Sequence, residues 1–217
     1  MFDFTTIQDG LPFIIQGGLI TLKFALASLI CGLPLGLALG LIKVSKFRAL
    51  KLCANAYTSI FRGTPLLVQL GLIYFSIPQL TGYTISAFEA GLIAFSLNSA
   101  AYTSETIRSG IQSIDIGQWE AAYVLGLNYK QTLRFIILPQ ALRNILPALV
   151  NEMINLLKES ALVSTIGEMD LYRRAQIIAA ENFVYFEPLI VVAFIYYILV
   201  LAMSGLANIL EKRLSYA

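Results

Sequence analysis

Histidine is absent from this 217-residue chain. Without it the commonest general base and metal ligand are missing, and so is every Ser-His or Cys-His nucleophile. Cysteine is scarce: Cys31 and Cys53 lie in or beside apolar stretches and read as buried thiols, neither a disulfide pair nor a metal site. No G-x-x-x-x-G-K-[ST] stretch occurs, so the chain lacks that loop for cradling nucleotide phosphates. Charge is thin at 13%, against about 25% in soluble domains. These absences leave little case for an enzyme, and they predict no metal and no cofactor within the chain.

What is present is largely oil, 58% hydrophobic residues in long runs. The chain is therefore read as an all-α integral membrane protein. It is too short for two membrane domains and shows no internal repeat, so residues 1–217 form one domain. Met1-Phe2-Asp3-Phe4 carries no basic n-region, which argues against a cleavable signal peptide. Asp3 and Asp9, with no base before the first run, predict an N-terminus outside.

The first run, Leu11 to Ile42, exceeds the roughly 20 residues that a span needs, so it must tilt or carry an extra turn. Gly32, Gly36 and Gly40 fall four apart on one helix face and invite close approach of another helix. Lys43, Lys46, Arg48 and Lys51 then mark a cytoplasmic loop, flanked too closely by membrane segments for nucleic-acid binding. The second run, Leu52 to Ile77, is interrupted by Arg62-Gly63-Thr64-Pro65, which predicts a kinked or broken helix. Thr64 is expected to patch the freed backbone groups. Ser86 and Glu89 form a capping-box signature that opens a third span ending near Ile107. Asn98 lies roughly 18 Å along it, and Asn98, Tyr102 and Glu105 share a face.

The fourth span, Leu138 to Thr165, holds the densest buried polarity in the chain. Glu152 sits roughly 20 Å beyond Pro139, well inside a bilayer. Glu152, Asn155 and Glu159 form one stripe. A carboxylate there costs several kcal/mol unless it is paired or faces a wet cavity. Two readings stay open: a structural pairing of Glu152, or a stripe lining a substrate path. Glu168 to Glu187 forms the longest external stretch, and a fifth span starts at Pro188 and ends before Glu211-Lys212-Arg213. Of the fifteen Lys and Arg, Arg173 and Arg174 fall outside, Lys23, Arg62 and Lys158 fall within spans, and the rest fall inside.

Between the third and fourth spans, residues 108–138 break this pattern with mixed polarity. Glu120-Ala121-Ala122, three residues, Gly126, nine residues, Ile136, one residue, then Leu138-Pro139 reads as a short helix, a turn, and a second short helix that stops before Pro139, whose missing amide suits the first turn of the next helix. Glu120 is expected to cap or charge a helix N-terminus. This spacing resembles the EAA loop of the membrane-spanning subunits of bacterial ABC importers. The segment "RGTPLLVQLGLIYFSIP" also resembles their polar amino acid branch.

The resemblance implies a type I ABC importer permease architecture in the bacterial inner membrane, with five transmembrane helices and a cytoplasmic coupling helix. It implies two partner ATPase subunits, which would hold ATP and Mg, and a second permease copy or paralogue. It also implies an extracytoplasmic solute-binding protein that docks on the external stretch. Glu120, Ala121, Ala122, Gly126, Ile136, Leu138 and Pro139 would then couple to the ATPase. Asn98, Tyr102, Glu152, Asn155 and Glu159 are the candidates for contacting substrate, a polar and preferably cationic amino acid. Arg62 could meet a substrate carboxylate or serve structure. The alternative is a secondary transporter driven by an ion gradient, with Glu152 or Glu105 as its coupling carboxylate.

Overall fold

The structure, a computed structural model, describes residues 8–215. Asp3 and the Met1–Phe4 stretch lie outside the described residues, as do the side chains of Glu211 and Arg213. Every regular element among the described residues is helical. They are α1 (Leu11–Val44), α2 (Arg48–Gly63), α3 (Leu66–Thr81), α4 (Ala87–Gln112), α5 (Ile116–Val124), α6 (Tyr129–Thr132), α7 (Leu138–Glu159), α8 (Leu171–Asn182) and α9 (Phe186–Ser215). A π-turn over Leu133–Ile137 joins α6 to α7, and a 3-10 stretch over Ser160–Ile166 extends α7.

The glycine face of α1 behaves as its spacing predicts. Gly32, Gly36 and Gly40 are buried against Ser99, Thr103 and Ile107 of α4. A Cβ at Gly32 would stand 2.7 Å from the Ser96 carbonyl oxygen, so only hydrogen fits there. Three apolar clusters stack along this pair. The middle one joins Phe24, Phe95, Leu70, Leu156 and Val163, with the Phe24 and Phe95 rings edge-on at 4.9 Å. The one nearest α8 joins Ile14, Leu171, Ala175, Ile178 and Val192. The one nearest α5 joins Ile107, Ile111, Ile137, Ala141 and Ile145.

The interruption at Arg62–Pro65 is a real break: α2 and α3 meet at 99°. Thr64 Oγ1 donates to the Ile60 carbonyl at 2.8 Å, as expected for a residue patching freed backbone. The larger share of the patch comes from Gln69, which the sequence reading left out. Its Nε2 lies within hydrogen-bonding distance of the Phe61 carbonyl (2.8 Å), the Thr64 carbonyl (3.1 Å) and Thr64 Oγ1 (2.8 Å).

Several boundaries move. The expected basic loop shrinks to Ser45–Phe47, because Lys43 ends α1 while Arg48 and Lys51 open α2. α4 runs about a turn past Ile107 to Gln112, and α9 continues through Glu211-Lys212-Arg213 to Ser215. Pro139 takes the first turn of α7, as expected, but the second short helix does not stop before it. Proline supplies no amide, and the π-turn absorbs the defect: the Leu138 amide donates to the Leu133 carbonyl and the helix continues. The capping box at Ser86 and Glu89 is present in both directions.

Leu11–Val44, Tyr129–Ile166 and Phe186–Ile209 are each long and apolar enough to cross a membrane, and the bent pair α2–α3 is so when taken together, as a broken span or a re-entrant loop. α4 is 26 residues long but falls short of that apolarity. It sits in the middle of the bundle, where small residues such as Ala94, Ser99 and Ala101 are fully buried. Both cysteines correct the expectation of buried thiols: Cys31 and Cys53 are free and exposed on the subunit surface.

Candidate functional site

α5 begins at Asp115, whose carboxylate accepts from the Gly117 amide at 2.7 Å. The expectation that Glu120 would cap this helix is therefore corrected. Glu120 stands further along α5 with its side chain in the open. Ala121 is exposed, and Ala122 is the member of the triplet that packs inward, 2% exposed. The helix closes at Gly126, φ 80°, with the Leu127 amide donating to the Ala122 carbonyl. That backbone shape, not crowding, requires glycine: nothing lies within 4 Å of a Cβ there.

The tip of this turn is apolar and bare. Val124 is 87% exposed and Leu125 78%, with Tyr123 beside them. Single exposed apolar residues are ordinary, but a contiguous patch at the end of a capped helix marks an interaction surface. Ile136 and Leu138 pack onto the inner cluster, Ile137 anchors it fully buried, and Pro139 is exposed. Trp119 and Tyr129 stack at 5.7 Å and fix α5 against α6.

Next to this segment lies an ionic cluster. Lys43 is buried and bonds Glu105 and Thr58, the latter at 2.8 Å. Arg108 reaches the other Glu105 oxygen at 2.8 Å. The cluster ties α1, α2 and α4 together where they approach the coupling segment. Sequence position alone made Lys43 a loop residue.

The predicted face of α4 is shared out among partners within the chain. Asn98 is buried, and its Nδ2 donates to the Phe61 carbonyl at 3.0 Å and to Gln69 Oε1 at 3.2 Å. Tyr102 remains 40% exposed, with the Arg62 guanidinium 5.1 Å over its ring. Glu105 belongs to the ionic cluster. On α7, Glu152 is partly buried while Asn155, Lys158 and Glu159 are exposed. Ile154, Leu156 and Leu157 turn inward instead. A polar stripe thus faces out of the subunit from a helix apolar enough to cross a membrane.

The stretch between α7 and α9 is partly helical, carrying α8. α8 is capped by Asp170, which accepts from the Arg173 amide at 2.8 Å. Arg174 donates to the Phe13 carbonyl at 3.0 Å and stacks on the Phe13 ring at 4.5 Å. Burial pushes the Asp170 carboxyl up to about 6, against the bonds from the Arg173 and Tyr172 amides. Burial also raises Glu168.

Comparisons with known proteins follow this geometry closely. Residues 32–216 match the family "Binding-protein-dependent transport system inner membrane component". A GlnP permease protein of Rickettsia conorii, whose name assigns it to glutamine transport, is 54% identical over 202 residues, 93% of each chain. The arginine transport system permease protein ArtQ of Bacillus subtilis is 50% identical over 212 residues, 98% of this chain and 97% of the relative. A solved amino acid ABC transporter, crystallised with histidines, superposes with a TM-score of 0.94 at 46% identity, covering 98% and 99% of the two chains. The MetNI methionine transporter in an inward-facing form shares the fold, at a TM-score of 0.80 and 20% identity over 95% and 98%.

Proposed function

The chain belongs to the binding-protein-dependent transport system inner membrane components, and from that premise we propose that it is the permease subunit of an ATP-driven importer for a polar amino acid. The observation that carries the coupling half is the exposed turn at α5. Glu120, Ala121 and Ala122 fall on a capped helix whose apolar tip has no cover among the described residues. A groove on an ATPase subunit supplies that cover. α4 serves as the fifth crossing, its modest apolarity compensated by its central burial.

The outward stripe of α7 is the path. Asn155 and Glu159 facing hydrocarbon would cost several kcal/mol, whereas a wet cleft shared with a second permease copy removes that cost. Carboxylates on such a cleft suit a cationic amino acid. The relatives named for glutamine and for arginine transport bracket that choice. ATP closes the paired ATPase subunits, α5 moves with them, and the bundle shifts between inward- and outward-facing forms. ATP drives the change only because it binds one form better. The binding protein docks on the side carrying α8, and the N-terminus lies on that same outer side.

The chain is tested by co-reconstituting it with its ATPase in liposomes and following amino acid-dependent ATP hydrolysis and uptake. Uptake that requires both ATP and the ATPase, with arginine, lysine, histidine and glutamine as competitors, supports the assignment. Uptake that proceeds without the ATPase and follows an ion gradient overturns it.

A further inference from the structure

Lys43, Lys46, Arg48 and Lys51 crowd a short stretch of sequence, and transport alone gives that basic run no task beyond orientation. Two of the four, Lys43 and Lys51, line a cavity of about 590 Å³. Lys43 and Val44 at the end of α1, Lys51 on α2, the turn from Ile111 to Ile116, and the Trp119–Tyr129 pair form its walls. Lys43 closes on Glu105 and Thr58, so it contributes a sealed wall and no spare charge. Asp115 also lines the cavity, with one carboxylate oxygen held by the Gly117 amide. Lys46 rests 5.8 Å over the Tyr129 ring. Among the described residues neither Lys46 nor Lys51 makes an ion pair. Lys51 therefore lines a half-open cavity and Lys46 stands at its edge over the Tyr129 ring, while the remaining surface mixes aromatic, aliphatic and polar groups.

Its depth identifies what it meets. α1 has 34 residues and is about 51 Å long. That exceeds both the roughly 30 Å hydrocarbon core and the roughly 40–45 Å span that includes headgroups. With its apolar middle in the core, the Lys43 end emerges through the headgroup layer. Trp119 is the only tryptophan in the chain, and it stacks on Tyr129 at this level. Tryptophan and tyrosine collect in that layer because one side of each ring is apolar and the other polar. Basic pockets between helices at this depth suit phosphate headgroups.

We infer that this cavity binds the phosphodiester headgroup of an anionic phospholipid from the adjoining leaflet, with Lys46 and Lys51 on the phosphate and the Trp119–Tyr129 face against the glycerol. The lipid would tie the α5–α6 segment to the end of α1, so headgroup composition would set how freely the coupling helix moves. A free phosphate shares the charge but lacks the apolar anchor. The inference does not depend on which solute is carried or on ATP.

Because Trp119 is the sole tryptophan, its fluorescence reports this cavity directly. The full chain in a neutral detergent is titrated with dihexanoyl-phosphatidylglycerol, dihexanoyl-phosphatidylcholine and inorganic phosphate in parallel. The phosphatidylglycerol should give a saturating change in Trp119 emission at concentrations about tenfold lower than the phosphatidylcholine, and inorganic phosphate should give none. The double variant Lys46→Ala/Lys51→Ala should raise the phosphatidylglycerol half-saturation by about tenfold, with helical circular dichroism and size-exclusion profile unchanged. Raising salt from about 50 mM to about 500 mM should weaken the wild-type response similarly, which keeps the test sharp if the variant folds poorly. Equal responses to the two lipids, an unchanged double variant, or no salt effect overturns the site. Saturation by inorganic phosphate alone overturns the lipid assignment in favour of a soluble anion. Failure of ATP-coupled uptake with this titration intact would count against the transport assignment alone.

Discussion

Glycine does opposite work in the α1–α4 seam and in the α5 turn. At Gly32 an added Cβ would meet a backbone oxygen at 2.7 Å, and at Gly36 the Thr103 Cβ at the same distance. At Gly126 nothing stands within 4 Å, and the residue is needed for φ 80° alone. The seam is finished by the chain itself, with its small residues used to bring two helices into contact. The α5 turn is finished by something else: its shape is fixed by a cap and a left-handed residue, while Val124 and Leu125 stay bare. One region stores the subunit's stability, and the other holds a surface in readiness. Substitutions should separate these roles cleanly.

The largest loss of stability is expected in the seam. Gly32→Leu forces a side chain against the α4 backbone, which cannot yield as a flexible side chain does. Overpacking of this kind costs typically about 1–3 kcal/mol and more where backbone must move. Little folded, monodisperse protein should survive extraction, read by size exclusion and thermal unfolding in detergent. A Gly32→Leu protein as stable as wild type would mean that the seam is looser than the distances imply. Gln69→Leu comes next. It strands the Thr64 carbonyl, leaves the Phe61 carbonyl to Asn98 alone, and takes Gln69 Oε1 away from Asn98. A buried polar group left without a partner costs about 1–3 kcal/mol. The unfolding temperature should fall while the apolar clusters persist.

A smaller effect is expected at α8. Burial lifts Asp170 from 3.8 to about 6. Between those values the folded state keeps a proton that the unfolded chain has released, so stability falls as pH rises through this window and the cost is complete above it. Wild type should therefore gain stability on going from about pH 7 to about pH 5. Asp170→Asn keeps an N-cap acceptor and removes the titration, so that gain should shrink. An equal gain in both proteins would assign the pH dependence to other groups, Glu168 among them.

Much of this was legible in the chain. The glycine spacing named the seam, Arg62–Pro65 named the break, Ser86–Glu89 named a cap, and Glu120–Pro139 named the exposed turn. These are local rules, each settled within about twenty residues. The misses came from tertiary partners. Lys43 read as part of a basic loop and instead lies against Glu105, 62 residues away. Asn98 drew notice as an amide within a span, and what the span alone did not show is that this amide joins Gln69 at the broken helix. A lone amide in an apolar run was the signal that could have picked out Gln69. Pro139 opens α7 as its missing amide suits, but the helix running into it was not legible, because a π-turn leaves no mark in composition. The cysteines read as buried because membrane surfaces are as apolar as cores.

The smallest change in stability is expected where the largest change in coupling should appear. Glu120 is exposed on α5 and caps nothing. Exposed substitutions away from such features usually stay within about 0.5 kcal/mol. Glu120→Lys should therefore leave the unfolding temperature of the isolated permease where it was. It does reverse a charge one turn from the bare Val124–Leu125 tip, at the surface proposed to seat in the ATPase. Reversed charge at an interface rim slows association and sets like charges against each other. Co-purification with the ATPase and ATP-coupled uptake should both fall, by about tenfold or more for the roughly 1.4 kcal/mol that one such reversal can remove. Val124→Asp should do the same by taking apolar area from the tip. If either variant unfolds the subunit, α5 is part of the core after all and the contrast with the seam collapses. If both leave fold and coupling intact, the ATPase grips another part of the chain.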